Sequence, residues 1–273
     1  MKFNFLLEQR FSLRDNYNSE NKNINLSNFN WYTIWNKHIR NKNFSRSKNK
    51  LEKYVYNWVD LALRTFYCDC PYGKEWEINH KPCWLEHDDR YVNRYKKMEW
   101  EHVVPAQAYL WSFKEWKEGH TNCINSKWKP FKGRKCLEKV SKEWNHMISD
   151  LHNLFPVAWN LNAIRSNYPV WIIPWEKRLF GLCNIEIEDK KMEPSDDIRW
   201  DIARVYKYMY YTYPKYFIKK EYLELLKKWS IIDPISKEEC KRYFIIRKVQ
   251  KSINFILEKC CKNKYPNLYK KKY

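Results

Sequence analysis

The sequence has little glycine and no long apolar run. Only four of its 273 residues are glycine, which excludes a glycine-rich fibrous chain or a long Gly/Ser linker. Every apolar run is far shorter than the ~18 residues that a membrane-spanning helix needs, so a helical membrane protein is excluded. Aromatic residues make up 18% and hydrophobic residues 44%, which excludes disorder of the whole chain. The length allows one large domain or two small ones.

The sequence also has no CxxC pair, although it contains nine cysteines. CxxC pairs are typical of zinc fingers, and a zinc site built from Cys68, Cys70, His80 and Cys83 would have poor spacing. Four disulfide bonds with one spare thiol explain the cysteines more simply and predict an oxidising compartment. No signal peptide is visible at the N-terminus, because its apolar stretch is too short. Three explanations of this conflict remain open: export by another route, a given start that is not the authentic one, and cysteines that stay reduced.

Positive charge is abundant and unevenly distributed. The chain has 52 Lys+Arg and 32 Asp+Glu, a formal net charge of +20. Residues 1–50 hold 10 basic and 3 acidic residues, and residues 241–273 hold 11 and 1. An anionic partner such as nucleic acid is one interpretation, and composition drift in an AT-rich genome is the other. Charge alone does not separate the two.

Helical patterns outnumber strand patterns, which predicts an α+β fold with a helix-rich single domain over residues 47–261. Residues 1–46 are predicted to be an N-terminal extension, and residues 262–273 a basic, disordered tail. Helices are predicted at residues 47–65, 106–118, 137–154, 196–211, 219–229 and 236–260, strands at 98–104 and 180–188, and irregular chain at 160–175.

Two polar stretches contain the candidate chemistry. Glu101 and His102 come at the end of the first predicted strand, where an imidazole can reach a cleft and a carboxylate can hold a divalent cation. For an isolated pair, a buried histidine beside a solvated carboxylate is the more common situation. The second stretch, Asp150–Pro156, offers Asn153 as a neutral oxygen ligand at the end of a predicted helix. Asp150 would be its partner or a surface charge, and the asparagines that follow would be turn or cap residues.

Together these stretches resemble the bacterial endonuclease I and extracellular deoxyribonuclease family, whose active site is a ββα-metal (His-metal finger) unit. The resemblance follows five blocks in order over roughly residues 47–261, which is far more specific than one motif. The blocks are residues 66–70, 99–106, 131–136, 150–156 with 162–168, and 180–183 leading to 193–194 and 202–204.

The resemblance implies a metal-dependent endonuclease that cleaves DNA without sequence specificity and leaves 5′-phosphate products. His102 matches the family's general base, and Glu101 and Asn153 match its two metal ligands. The metal would be Mg²⁺, with other divalent cations as alternatives, and RNA is an open second substrate. Arg165 and Arg134 are candidates for contacting the phosphate, with Arg165 ranked slightly higher. A monomer in the periplasm or outside the cell would be expected, with no membrane contact.

A basic segment lies between the two halves of the predicted site. Residues 127–142 hold seven Lys+Arg and one acidic residue. The segment is a candidate phosphate-binding track, with a solvated charged face as the alternative. Most aromatic residues would be core, with Trp128 as a candidate base-stacking exception. The lysines of the track are Lys127, Lys129, Lys132, Lys135 and Lys139.

Several cysteines lie in blocks that resemble the family, which favours disulfides over zinc. The pairs expected are Cys123 with Cys136, and Cys240 with Cys260 or Cys261. The remaining candidates, Cys68, Cys70, Cys83 and Cys183, would then pair among themselves. A basic nucleic-acid-binding protein without catalysis is the alternative function, and it would retain DNA without nicking it.

Overall fold

A computed structural model describes residues 43–57, 61, 63–86, 91–175, 177–229 and 235–270, which all belong to one compact unit. The predicted N-terminal extension lies outside the described residues up to residue 42. The helices are α1 (Phe44–Lys50), α2 (Gln107–Leu110), α3 (Lys114–Lys117), α4 (Arg134–Val140), α5 (Lys142–Ile148), α6 (Trp159–Arg165), α7 (Arg199–Thr212), α8 (Lys220–Trp229), α9 (Lys237–Gln250), α10 (Phe255–Lys264) and α11 (Pro266–Lys270). The strands are β1 (Met98–His102), β2 (Leu154–Ala158), β3 (Glu186–Glu188) and β4 (Lys191–Glu193). The fold is therefore α+β.

Strands β1 and β2 form an antiparallel pair, with Met98 opposite Ala158 and His102 opposite Leu154. All five residues of β2 are buried. Pro156 cannot donate to a ladder, and it is tolerated because this sheet has only two strands. Helix α6 starts directly after β2 and packs on both strands. This arrangement places the end of β1 against the C-terminal turn of α6, where Arg165 contacts Glu101 and His102.

The predicted strand at residues 98–104 is present as β1, whereas the predicted helix at residues 137–154 is divided. It breaks at Ser141, whose hydroxyl accepts a hydrogen bond from Trp144 N at 3.2 Å and caps α5. Beyond Ile148 the chain forms a 3₁₀ turn and then enters β2. The prediction of irregular chain at residues 160–175 was wrong for residues 160–165, which belong to α6 with Leu161 and Ile164 buried, and it is confirmed for residues 166–175.

The C-terminal helices form the other part of the core, and α7 is buried along almost its whole length. The predicted helix at residues 236–260 is interrupted after Gln250, because the next residue, Lys251, adopts a left-handed backbone at φ +60°. Asn254 then caps α10 by accepting from Ile256 N at 3.1 Å. The predicted disorder of the tail was wrong up to Lys270, since α11 places Tyr269 5.6 Å from the Phe244 ring. None of the helices described is long and apolar enough to cross a membrane.

All nine cysteines lie within the described residues, and eight of them are paired. The pairs are Cys68–Cys183, Cys70–Cys83, Cys123–Cys136 and Cys240–Cys261. The alternative partner for Cys240, Cys260, is exposed and free. The zinc alternative is therefore wrong, because the sulfur atoms that it would require are held in disulfides.

Candidate active site

The end of β1 opens into a cavity of about 370 Å³. Glu101 and His102 both line it, since the strand stops there and no longer directs them to opposite faces. Arg134 at the start of α4 and Arg165 at the end of α6 complete the charged wall. The structure thus brings together four predicted site residues from three elements. Asn153 does not line this cavity.

A second cavity, of about 400 Å³, lies elsewhere and contains none of these four residues. It is lined by His152, Arg204 and Glu239 among others. Arg204 forms an ion pair with Glu239 at 2.8 Å, so these groups compensate each other. The cavity at the end of β1 is therefore the better candidate for chemistry on a charged substrate.

His102 is held by one ring nitrogen and leaves the other available. Its Nε2 lies 2.8 Å from the carbonyl oxygen of Ile148, which can only accept a hydrogen bond. Nε2 therefore carries the proton, and Nδ1 carries the lone pair. Burial lowers the pKa of His102 to about 4, against the effect of the Ile148 carbonyl, and the ring stacks on Phe44 at 4.9 Å. The imidazole is thus a neutral, fixed proton acceptor at pH 7.

Glu101 is only 4% exposed, and its two oxygens have different surroundings. Oε1 accepts from Arg165 Nη1 and, at 3.4 Å, from the Tyr67 hydroxyl. Oε2 accepts no hydrogen bond from the residues that the structure describes. Burial raises the pKa of Glu101 to about 7, while the positive charge of Arg165 opposes that rise. A cation beside Oε2 would further stabilise the ionised carboxylate.

Arg165 supports the strand end from inside the protein. It is fully buried, and besides Glu101 its guanidinium donates to the carbonyl oxygens of His102 at 3.0 Å and Val103 at 2.7 Å. Both terminal nitrogens are therefore already occupied. The guanidinium orients the carboxylate and the backbone beside the candidate base.

Arg134 has the opposite character. Its side chain is 54% exposed and forms an i,i+4 pair with Glu138 at 3.0 Å. Because that pair is at the surface, the guanidinium can exchange it for a phosphate at small cost. The geometry favours Arg134 over Arg165 for contacting a substrate, which reverses the order ranked from the sequence.

Asn153 uses its side chain to hold backbone. Its Oδ1 accepts from Val104 N at 2.7 Å, and its Nδ2 donates to Val104 O at 3.0 Å. Its own carbonyl oxygen accepts from Val103 N at 3.1 Å, which extends the pairing of the two strands. The side chain is fully buried and is not among the residues that line the cavity. This geometry conflicts with the metal-ligand role predicted for Asn153.

Asp150 is not a surface charge either. It is fully buried and accepts from the hydroxyls of Tyr208 at 2.8 Å and Tyr213 at 2.6 Å. The same carboxylate accepts from His152 N at 2.9 Å and Gln250 Nε2 at 2.8 Å. Four donors satisfy one buried carboxylate, which ties the turn before β2 to α7 and α9. Its role is structural.

Asn162 is a residue that the sequence analysis treated as a turn or cap. It lies in the middle of α6, and its Nδ2 donates to Glu99 Oε2 at 3.0 Å. Glu99 is two residues before Glu101, on the same face of β1. Asn162 also shares a helix face with Arg165, three residues later, which reaches Glu101. Assigning residues 159–165 as a helix from the sequence would have shown that Asn162 and Arg165 lie on the same face.

The basic segment continues directly from the cavity. Its five candidate lysines are all exposed, and Lys139 Nζ donates to the Ile124 carbonyl at 3.2 Å. The Cys123–Cys136 disulfide closes the segment onto α4, whose first residue is Arg134. A positively charged surface thus leads to a cavity containing a base and a carboxylate. Among the residues described, no three His, Cys, Asp or Glu side chains cluster to hold a metal ion.

Comparisons with known proteins agree with this arrangement. Residues 43–260 match the model of the family described as Endonuclease I. The periplasmic deoxyribonuclease of Aeromonas hydrophila is 32% identical over 204 residues, which cover 72% of this chain and 79% of that protein. Endonuclease-1 of Buchnera aphidicola subsp. Baizongia pistaciae is 31% identical over 237 residues, covering 83% and 88%. Endonuclease-1 of Buchnera aphidicola subsp. Acyrthosiphon pisum is 35% identical over 174 residues, covering 63% of this chain and 64% of that relative.

Proposed function

The chain belongs to the Endonuclease I family and is an endonuclease, and we propose that it hydrolyses DNA without sequence specificity, with His102 as the general base. The observation that carries this proposal is the fixed, neutral imidazole of His102 beside Glu101 in a cavity bordered by basic residues. Relatives named as periplasmic and extracellular deoxyribonucleases support DNA as the substrate. Together with four disulfides, they support a periplasmic or secreted location.

The active centre of this proposal is a ββα-metal unit, built from β1, β2 and α6. Its residues fit a hard cation, because Glu101 Oε2 is an oxygen donor without a hydrogen bond from the described residues. Mg²⁺ typically takes one or two protein oxygens and fills its other positions with water and phosphate. We propose the amide oxygen of Asn162 as the second donor, because that of Asn153 already accepts from Val104 N, whereas Asn162 uses its amide nitrogen to bind Glu99 on β1. Neither asparagine is among the residues that line the cavity. When bound, Mg²⁺ would offset the negative charge that develops on the phosphate and on the leaving oxygen.

His102 Nδ1 removes a proton from the attacking water, while the Ile148 carbonyl keeps the opposite nitrogen protonated. The water attacks phosphorus, the bond to the 3′ oxygen breaks, and that oxygen takes up a proton from solvent, so the products carry a 5′ phosphate and a 3′ hydroxyl. Arg134 contacts a phosphate oxygen from the rim of the cavity. Arg165 keeps Glu101 oriented but does not touch the substrate.

Backbone contacts explain the proposed lack of sequence specificity. The exposed lysines of the basic segment bind phosphates, which carry no sequence information. RNA presents the same phosphates, so it is included as a second substrate in the test. Binding through several lysines should weaken steeply with added salt.

The test is nicking of a supercoiled plasmid and cleavage of an RNA of similar length, with Mg²⁺ and with EDTA. We expect Mg²⁺-dependent nicking by the unaltered protein and a loss of at least about 10²-fold in His102→Ala. Tyr54→Phe is the matched control, because Tyr54 is exposed and lies outside the cavity. Full activity of His102→Ala would exclude the assigned base. Binding of DNA without nicking under every metal condition would favour the non-catalytic alternative.

A further inference from the structure

The loop between Cys123 and Cys136, here called the basic arm, has a defined shape. Ile124 bridges Pro130 in antiparallel fashion, and Phe131 N donates to Cys123 O at 2.8 Å. The disulfide between its two end residues closes it onto α4. The arm is therefore a short closed hairpin whose tip has a fixed conformation.

The tip is organised by Asn125. Its side-chain oxygen accepts from the backbone N–H groups of Lys127 at 2.9 Å and Lys129 at 3.0 Å, and its carbonyl accepts from Trp128 N at 3.0 Å. These bonds hold Trp128 in the left-handed region at φ +57°, which is unfavourable for a residue with a side chain. As a result the indole is 86% exposed. Local structure thus holds a large aromatic ring away from the core.

The neighbours of Trp128 indicate which kind of ligand the ring can bind. Lys127 and Lys129 flank it and are both exposed. An aromatic face between two cations matches single-stranded nucleic acid, in which a base can stack on the ring while adjacent phosphates contact the lysines. In an intact duplex the base faces are already stacked on each other and are not available. The complementary partner is therefore a strand with unpaired bases.

We propose that Trp128 stacks on an unpaired nucleobase and so gives the protein a binding preference for a base-bearing single strand over an abasic strand. The proposal adds a substrate contact to the proposed nuclease and rests on that proposed function. The arm joins the candidate active site through α4, because Arg134, six residues after Trp128, lines the same cavity as His102. Strand binding and cleavage would then use contiguous parts of the chain.

The structure supplies a matched control for this proposal. Trp175 is 92% exposed and also has a left-handed backbone, at φ +68°. It lies outside the basic arm and does not line the candidate cavity. Replacing either tryptophan removes an exposed indole, but only Trp128 has the flanking lysines of the arm.

The experiment measures fluorescence anisotropy in EDTA with two labelled probes of equal length, a mixed-sequence oligodeoxynucleotide and an abasic deoxyribose-phosphate chain. We expect the unaltered protein to bind the base-bearing strand about tenfold more tightly, equivalent to about 1.4 kcal/mol. Trp128→Ala should bind both probes equally, Trp128→Phe should keep part of the preference, and Trp175→Ala should resemble the unaltered protein.

Three results would overturn the proposal: no preference in the unaltered protein, a full preference in Trp128→Ala, or an equal loss of affinity for both probes in that variant. Because EDTA prevents metal-dependent hydrolysis, this outcome does not depend on catalysis. Nicking of plasmid by the same preparation in Mg²⁺ tests the proposed function separately. A base preference without nicking would retain the stacking role and remove the nuclease assignment.

Discussion

Replacing Asn153 should destabilise the fold, whereas replacing Asn162 should impair the response to Mg²⁺. The amide of Asn153 forms both hydrogen bonds to the backbone of Val104, a residue that is itself fully buried. Asn153→Ala leaves the N–H and C=O of Val104 without these partners. Each unpaired buried group costs roughly 1–3 kcal/mol, so the free energy of unfolding should fall by about 2–6 kcal/mol.

The comparison variant is Asn162→Ala. Its amide is partly exposed and donates one hydrogen bond, to Glu99 at 3.0 Å, so its loss should cost less than about 1.5 kcal/mol of stability. If its oxygen is a cation donor, the Mg²⁺ concentration that gives half-maximal nicking should rise by at least about tenfold.

Urea unfolding without metal measures the stability of the two variants, and plasmid nicking over a Mg²⁺ titration measures the metal response. We expect the urea midpoint of Asn153→Ala to fall by roughly 1 M, with a near-normal midpoint for Asn162→Ala. The reasoning is refuted if Asn153→Ala unfolds at the original midpoint but requires more Mg²⁺. In that case Asn153 would regain the ligand role expected from the sequence.

Four further predictions concern charge and closure. Arg134→Ala should lower the nicking rate by about 10²-fold with an unchanged thermal midpoint, and a normal rate would remove Arg134 from the phosphate contact. Arg165→Ala should instead lower the free energy of unfolding by about 3–5 kcal/mol, because it leaves the buried Glu101 carboxylate without its partner. Urea unfolding measures this loss, and an unchanged midpoint would contradict the prediction. Lys129→Ala should reduce the slope of log affinity against log salt by about 0.9 for duplex DNA, and an unchanged slope would show that this lysine does not contact phosphate. Replacing both Cys123 and Cys136 with Ser should lower the free energy of unfolding by up to about 3 kcal/mol, measured by urea unfolding. The same variant should bind a single strand more weakly in fluorescence anisotropy, and unaltered binding would mean that closure of the arm is unimportant.

Strand β1 was predictable because its signals are local. Residues 98–104 include β-forming residues and are followed by Pro105, which ends the strand, and the structure places β1 at Met98–His102. Strand β2 was not predictable in the same way. All its residues are buried, so they show no alternation, and its partner is far away in the sequence.

Helix α6 and the roles of its residues depend on tertiary packing. Asn160 and Asn162 are poor helix formers, and only the burial of Leu161 and Ile164 against the strands explains why the segment is helical. The sequence identified Arg165 as a cation near the site, but burial decides that it supports Glu101. The sequence therefore located the charged groups and could not assign their contacts.

The pairing of Cys123 with Cys136 has a consequence for when the protein becomes fully equipped to bind a strand. In a chain that has just been synthesised, both thiols are reduced and the hairpin that presents Trp128 has no covalent closure. Exposure to an oxidant joins the hairpin to the helix carrying Arg134. The hairpin would therefore be closed only after the chain reaches an oxidising compartment, where it is separated from the chromosomal DNA of its own cell.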